Sequence, residues 1–68
     1  MNIKREITPQ AMRCLEQGCS ATFETDQGTC LIVGVPLKPE EIPAEIRHRV
    51  GQGETVVQVP SALLGLPK

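Results

Sequence analysis

Aromatic side chains are almost absent from this 68-residue chain, which has one phenylalanine, Phe23, and no tryptophan or tyrosine. Proteins that stack bases, clasp sugars or cage quaternary amines need several ring faces, because stacking and cation–π contacts both act through the ring. A single ring cannot build such a site. The sequence therefore argues against these binding modes and predicts a core made of aliphatic side chains.

A dominant charge of one sign and long apolar runs are also lacking. Seven basic residues against eight acidic ones give a formal net charge of −1, whereas non-specific nucleic-acid binders usually carry a basic stripe. No apolar run approaches the roughly 18–20 residues of a membrane span, and the charged start at 1–6 is not followed by the apolar stretch of a signal peptide. We therefore expect a cytoplasmic protein with no membrane contact, for which nucleic acid is the less favoured partner.

The small size of the chain favours association with a second subunit. A chain of 68 residues has room for one domain, and it hides only about 60% of the surface that its unfolded form exposes. Without aromatic bulk, such a core is marginal. We therefore expect one domain over 1–68, with a flexible N-terminus over 1–7 and an apolar tail over 61–68, that acts as a homodimer or as an accessory subunit of another protein.

The clearest structural pattern is a β-hairpin over residues 19–35. Its loop at 26–28, Asp-Gln-Gly, has three residues with glycine at the position that takes the left-handed conformation. The loop sets a register in which one face of the hairpin is wholly apolar. This register pairs Phe23 with Leu31, Ala21 with Val33 and Cys19 with Val35. We therefore expect Phe23 near the centre of the core.

Two short helices and a third strand complete an expected α+β fold with the order α-β-β-α-β. The helices are predicted over 9–17 and 43–50, and the strand over 54–59. Thr8 and Pro9 are typical of a helix start, and Pro43 opens the second helix in the same way. The apolar stripe of the second helix would be Ile42, Ile46 and Val50.

Three cysteines and one histidine equal in number the four ligands of a structural zinc site. The candidates are Cys14, Cys19, Cys30 and His48. Cys14 falls within the predicted first helix and Cys30 beside the hairpin turn, and a free cysteine is also an ordinary small apolar residue. The odd number argues against a secreted disulfide framework, and the predicted register separates Cys19 from Cys30. We therefore predict no cofactor and no metal, with a small zinc-binding module as an alternative.

Groups for catalysis are scarce, so we predict that the protein is not an enzyme. His48 is the sole histidine, and Arg47 and Arg49 on either side of it indicate a solvated cluster at a helix C-terminus. A domain of this size also has little room for a closed pocket.

Apolar residues outside the predicted core favour protein–protein interaction as the function. The predicted contact residues are Ile32 on the second face of the hairpin and Leu63, Leu64 and Leu66 in the tail. Two readings of the tail stay open, since it could close the core of its own domain or dock on a partner.

The segment 42–51, Ile-Pro-Ala-Glu-Ile-Arg-His-Arg-Val-Gly, followed by Gly-Glu-Thr-Val at 53–56, resembles the core of AbrB-type swapped-hairpin DNA-binding domains. Those domains run Ile-Pro-x-Glu-Ile-Arg, Leu-Gly, a short spacer, and then Gly-Asp with an alternating strand. The resemblance implies an intertwined dimer that binds operator DNA as a transcriptional regulator or antitoxin. Arg47 or Arg49 would then lie near phosphates.

Overall fold

The computed structural model describes residues 1–14 and 16–66, which form two small antiparallel sheets and a few single helical turns. Leu15 of the predicted first helix and residues 67–68 of the predicted tail lie outside the described residues. The first sheet has the order β1 (Ile3–Glu6), β2 (Ala21–Thr25), β3 (Cys30–Val33), and the second pairs β4 (Val35–Pro36) with β5 (Val57–Gln58). The helical parts are α1 (Ala44–Arg47) and 3₁₀ turns at Gln10–Met12, Pro39–Glu41 and Ser61–Leu64.

The predicted hairpin is confirmed between β2 and β3. The backbone N–H of Thr25 donates to the carbonyl of Thr29 at 2.9 Å, and their hydroxyls are 2.7 Å apart. Gly28 takes the left-handed conformation, with φ of +78°. The register pairs Phe23 with Leu31 and Ala21 with Val33.

The predicted pair between Cys19 and Val35 is wrong, because the strand leaves the first sheet before it. β3 ends at Val33, and Val35 pairs instead with Gln58 of the second sheet. Gly34 lies at this change of partner. A Cβ at position 34 would come within 2.6 Å of a Val59 methyl carbon, so only glycine lets the strand pass from one sheet to the other at this distance.

The N-terminal segment forms the strand that the predicted order lacks. β1 lies within residues 1–7, for which no regular structure was expected, and it pairs antiparallel with β2. The N–H of Ile7 continues this pairing by donating to the carbonyl of Thr22 at 2.9 Å. The observed order therefore begins with a strand, and the sheet has three strands from the first half of the chain.

The predicted helix over 9–17 is wrong, because the described residues of this segment, 9–14 and 16–17, form a 3₁₀ turn at Gln10–Met12 and no α-helix. The hydroxyl of Thr8, which would have capped that helix, instead accepts the N–H of Thr22 at 3.0 Å. The Nε of Arg13 turns back to donate to the carbonyl of Thr8 at 3.1 Å. The segment is therefore a short turn closed by an arginine.

The predicted helix over 43–50 is reduced to α1, a single turn that ends at Arg47. The Nε of Arg47 donates to the carbonyl of Ile42 at 2.9 Å. Arg13 bonds the carbonyl of Thr8 in the same way, and in both cases the arginine lies five residues after its acceptor. Of the predicted apolar stripe, Ile42 is buried, whereas Ile46 is 39% exposed. A complete stripe would need the longer helix, so it is absent here.

The predicted third strand over 54–59 is shorter than expected and comprises Val57–Gln58. Glu54 belongs to the preceding turn, since its N–H donates to the carbonyl of Gly51 at 3.0 Å and its carboxylate accepts the N–H of Gly51 at 2.7 Å. This turn holds Glu54 away from the ladder, so strand pairing starts only beyond it.

The buried core is very small. Among the described residues, the buried apolar side chains are Ile42 and Leu63, at 7% and 4% exposed. The buried polar side chains are Thr8, Thr22 and Thr25. Phe23 is only half-buried, so the expectation that it forms the centre of the core is wrong. No helix in the described part of the chain has the length and apolarity to cross a bilayer.

Candidate functional site

Large apolar side chains are exposed along much of the described chain, and β3 carries three of them in a row. Leu31, Ile32 and Val33 are 41%, 42% and 50% exposed. The other exposed large apolar side chains are Met1, Ile3, Ile7, Val35, Ile46, Val57, Leu64 and Leu66. A consecutive run exposed on both faces of one strand marks a contact surface far more than scattered single residues do.

β3 is the last strand of the first sheet, and within residues 1–14 and 16–66 no further strand pairs with its outer backbone edge. Thr25 and Thr29 exchange a hydrogen bond, and in an antiparallel ladder the bonded pairs recur at every second residue. The peptide groups of Leu31 and Val33 therefore face β2. Those of Cys30 and Ile32 point out from the sheet. We call this feature, the outer backbone of β3 with its apolar side chains, the open edge.

The opposite edge of the same sheet, formed by β1, is built differently. Its pairing with β2 is irregular between Ile3 and Arg5, and its sequence, Ile-Lys-Arg-Glu, is mostly charged. The Nε of Arg5 lies 2.7 Å from Glu24 Oε1. Irregular pairing and charge are two ways in which proteins stop an edge strand from pairing further.

The accessible surface of the chain is larger than the average for a compact monomer of its mass. Its accessible surface is 5725 Å², whereas a compact protein of 7.4 kDa has about 4,200 Å². Its radius of gyration is 13.4 Å, against about 11 Å for a compact domain of this length. The excess of about 1,500 Å² is close to twice the roughly 800 Å² that each partner buries in a standard interface.

The predicted interaction residues are divided by their burial. Ile32 is exposed on β3, and Leu64 and Leu66 are 57% and 56% exposed in and after the last 3₁₀ turn. Leu63 is buried, so this part of the tail closes the core of its own chain. Leu63 is therefore not available for contact, whereas the other three are.

Sequence reasoning missed Leu31 and Val33 as surface residues, because it assigned their face to the core. Nothing within the described residues buries that face completely. The groove beside it is lined by Phe23, Ala21 and Val33 on the sheet, together with Cys14 and Cys19. The sequence did carry one signal. β3 has no charged residue, whereas an edge strand that stays exposed to water usually has one.

Two of the three cysteines named in the zinc alternative are paired with each other. Cys14 and Cys19 are joined as a disulfide, with their Cα atoms 6.3 Å apart, and Cys30 is a free thiol exposed on β3. The first two sulfurs are therefore not free as ligands. In the described ranges no three His, Cys, Asp or Glu side chains converge as a metal site would require.

The predicted nucleic-acid contacts have different surroundings. Arg47 is tied to the carbonyl of Ile42, whereas Arg49 lines a shallow depression with Val50 and Glu54. His48 is exposed at the end of α1. Arg47 and Arg49 therefore have different neighbours, although they are only two positions apart.

The chain matches no protein-family model, and neither the curated proteins nor the solved structures contain a match to it. The resemblance of segment 42–51 to AbrB-type domains therefore gains no support from these comparisons.

Proposed function

We propose that this protein is a small non-enzymatic interaction protein that works as a homodimer. The observation that carries the proposal is the excess of accessible surface, 5725 Å² against about 4,200 Å² for a compact monomer of this mass. Dimerisation is the least demanding way to bury this excess, because each chain supplies an identical apolar surface to the other.

The small core supports the same proposal. With only Ile42 and Leu63 among the described residues as buried apolar side chains, the isolated chain removes little apolar surface from water. Burial of apolar area contributes about 25 cal/mol per Å², so a second chain would supply stability that this core lacks. Folding and association would then be linked, and the apparent stability would rise with protein concentration.

The cytoplasm remains the proposed compartment, and it bears on the disulfide. Cytosolic thiols are kept reduced, so Cys14 and Cys19 would be paired there only under oxidising conditions. The open edge contains neither of these cysteines. The proposed dimer therefore does not depend on the state of the disulfide.

Sedimentation equilibrium over about 1–300 μM, with and without a reductant, tests the proposal. We expect a species of twice 7.4 kDa at tens of micromolar, and a melting temperature that rises with concentration. A chain that stays monomeric to the highest concentration, with a concentration-independent melt, would contradict it. A monomer that captures one defined protein would replace the homodimer by an accessory subunit.

A further inference from the structure

We propose that the open edge of β3 pairs antiparallel with the open edge of a second copy, so that the two sheets join into one six-stranded sheet. This inference rests on the proposed dimer and names its centre. Cys30 and Ile32 present their N–H and carbonyl groups outward, and unpaired strand edges of this kind are templates for pairing with another chain. A second copy carries the same pattern of donors and acceptors.

The apolar side chains select the register, with Ile32 opposite Ile32 of the second copy. In this arrangement Leu31 of each chain faces Val33 of the other, so each large apolar side chain of β3 has an apolar neighbour across the interface. A slip that centres the pair on Leu31 would place Val33 opposite the polar Thr29. The centred register is therefore the one that covers the whole strand.

The ends of the strand limit the pairing to this short segment. On one side the hairpin turn at 26–28 precedes Thr29, and on the other Pro36 has no backbone N–H to donate. Cys30 would lie opposite Gly34 of the second copy, beside which Val59 of that same copy already packs. The join would add about six backbone hydrogen bonds.

β1 is not an equal candidate for this pairing, although it is also an edge strand. An antiparallel pair centred on Lys4 or on Arg5 would place that residue opposite itself, and one centred between them would place Lys4 opposite Arg5. Like charges directly opposite each other are destabilising. Its irregular pairing between Ile3 and Arg5 also breaks the straight ladder that a partner strand needs. The proposed partner of β3 is therefore β3 of a second copy of this chain.

Site-directed cross-linking tests the register. Opposed residues of a hydrogen-bonded antiparallel pair have Cα atoms about 5.5 Å apart, within the roughly 4.4–6.8 Å that a disulfide spans. Ile32→Cys in a Cys30→Ser background should form a cross-linked dimer at least about 10-fold faster than Ile3→Cys in the same background. Ile3 is the matched control, because it is an exposed isoleucine on the other edge.

Amide hydrogen exchange of the unmodified protein gives a second readout that needs no variant. When the concentration rises through the dimerisation range, the amides of Cys30 and Ile32 should exchange at least about 10-fold more slowly. Those of Leu31 and Val33, which face β2 in either state, should change less. This alternation follows from strand pairing, whereas simple packing of side chains would not produce it.

The outcomes separate the edge from the dimer. If the protein dimerises but Ile32→Cys cross-links no faster than Ile3→Cys, and the amides of Cys30 and Ile32 stay fast, the edge pairing is overturned while the proposed function stands. If the protein remains monomeric at every concentration, both are overturned. Rapid cross-linking with alternating protection supports both.

Discussion

The two edges of the first sheet are opposites in sequence and in structure. β1 is charged, irregular in its pairing and tied to β2 by the contact between Arg5 and Glu24. β3 is regular, uncharged and exposed at every position. One edge has the features that prevent strand addition, and the other has the features that permit it. A protein that needed to avoid association would protect both edges, so the difference supports the proposal that association uses β3.

The largest expected effect comes from placing a charge on the apolar edge. Ile32→Lys would bring two ammonium groups together at the centre of the proposed pair, in a position where like charges repel directly. We expect the dimer dissociation constant to rise by at least about 100-fold, equivalent to about 2.7 kcal/mol. Sedimentation equilibrium measures the change.

Ile3→Lys is the matched control for that comparison, because it introduces the same charge on β1. Ile3 is 51% exposed against 42% for Ile32, so the two substitutions start from similar environments. We expect the control to shift the dissociation constant by less than about 3-fold. Equal loss of dimer in both variants would show that the two edges do not differ in the proposed way.

The side of the sheet that carries β1 is stabilised by buried hydroxyls, and Thr8→Val tests this second part of the contrast. Valine has nearly the shape of threonine but cannot accept the N–H of Thr22, which Thr8 Oγ1 accepts at 3.0 Å. Thr22 is 5% exposed, so its N–H would lose its partner without gaining water. An unsatisfied buried donor costs about 1–3 kcal/mol.

Denaturation by urea at a concentration below dimerisation measures that loss for the single chain. Thr8→Ser is the matched control, because it keeps the hydroxyl and should retain most of the stability. The contacts of the proposed interface should be unchanged in either variant, since Thr8 lies on the side of β2 away from β3. Any rise in the dimer dissociation constant should therefore not exceed what the lost folding stability accounts for. A Thr8→Val variant as stable as the parent would mean that the hydroxyl bond is replaced by water.

The hairpin could be predicted from the sequence because its determinants are local. The loop at 26–28 and the alternation on either side fix the register without help from distant residues, and the pair of Phe23 with Leu31 is found as expected. The first helix could not be predicted correctly, because the decisive contact joins Thr8 to Thr22, fourteen positions away. A capping residue has the same appearance in sequence whether its hydroxyl binds its own turn or another strand.

The candidate site was predicted in part for a related reason. Ile32 stood out because an apolar residue occupied the less apolar face of the hairpin. Leu31 and Val33 looked like core, since an alternating apolar face is normally buried within its own chain. An apolar pattern indicates that one face of a strand is buried. It does not indicate whether the residues that bury it belong to the same chain or to a second one.

The smallest expected effect on stability comes from the ion pair that distinguishes β1. Arg5 and Glu24 have side chains 70% and 32% exposed, and exposed pairs contribute about 0.2–1 kcal/mol. We expect Arg5→Ala to cost about 0.5 kcal/mol, and the cost should shrink in high salt because mobile ions screen exposed charges. A double-mutant cycle with Glu24→Ala measures the pair itself.

Arg5→Ala also tests whether the charges on β1 prevent a further strand from pairing with this edge. If β1 resists pairing because of its charges, Arg5→Ala combined with Lys4→Ala should add species larger than the dimer at high concentration, since a second edge would then accept strands. Ala substitutions elsewhere on the surface should not. If the double variant stays a dimer, the irregular pairing between Ile3 and Arg5 is enough to close that edge, and the charges contribute only their small share of stability.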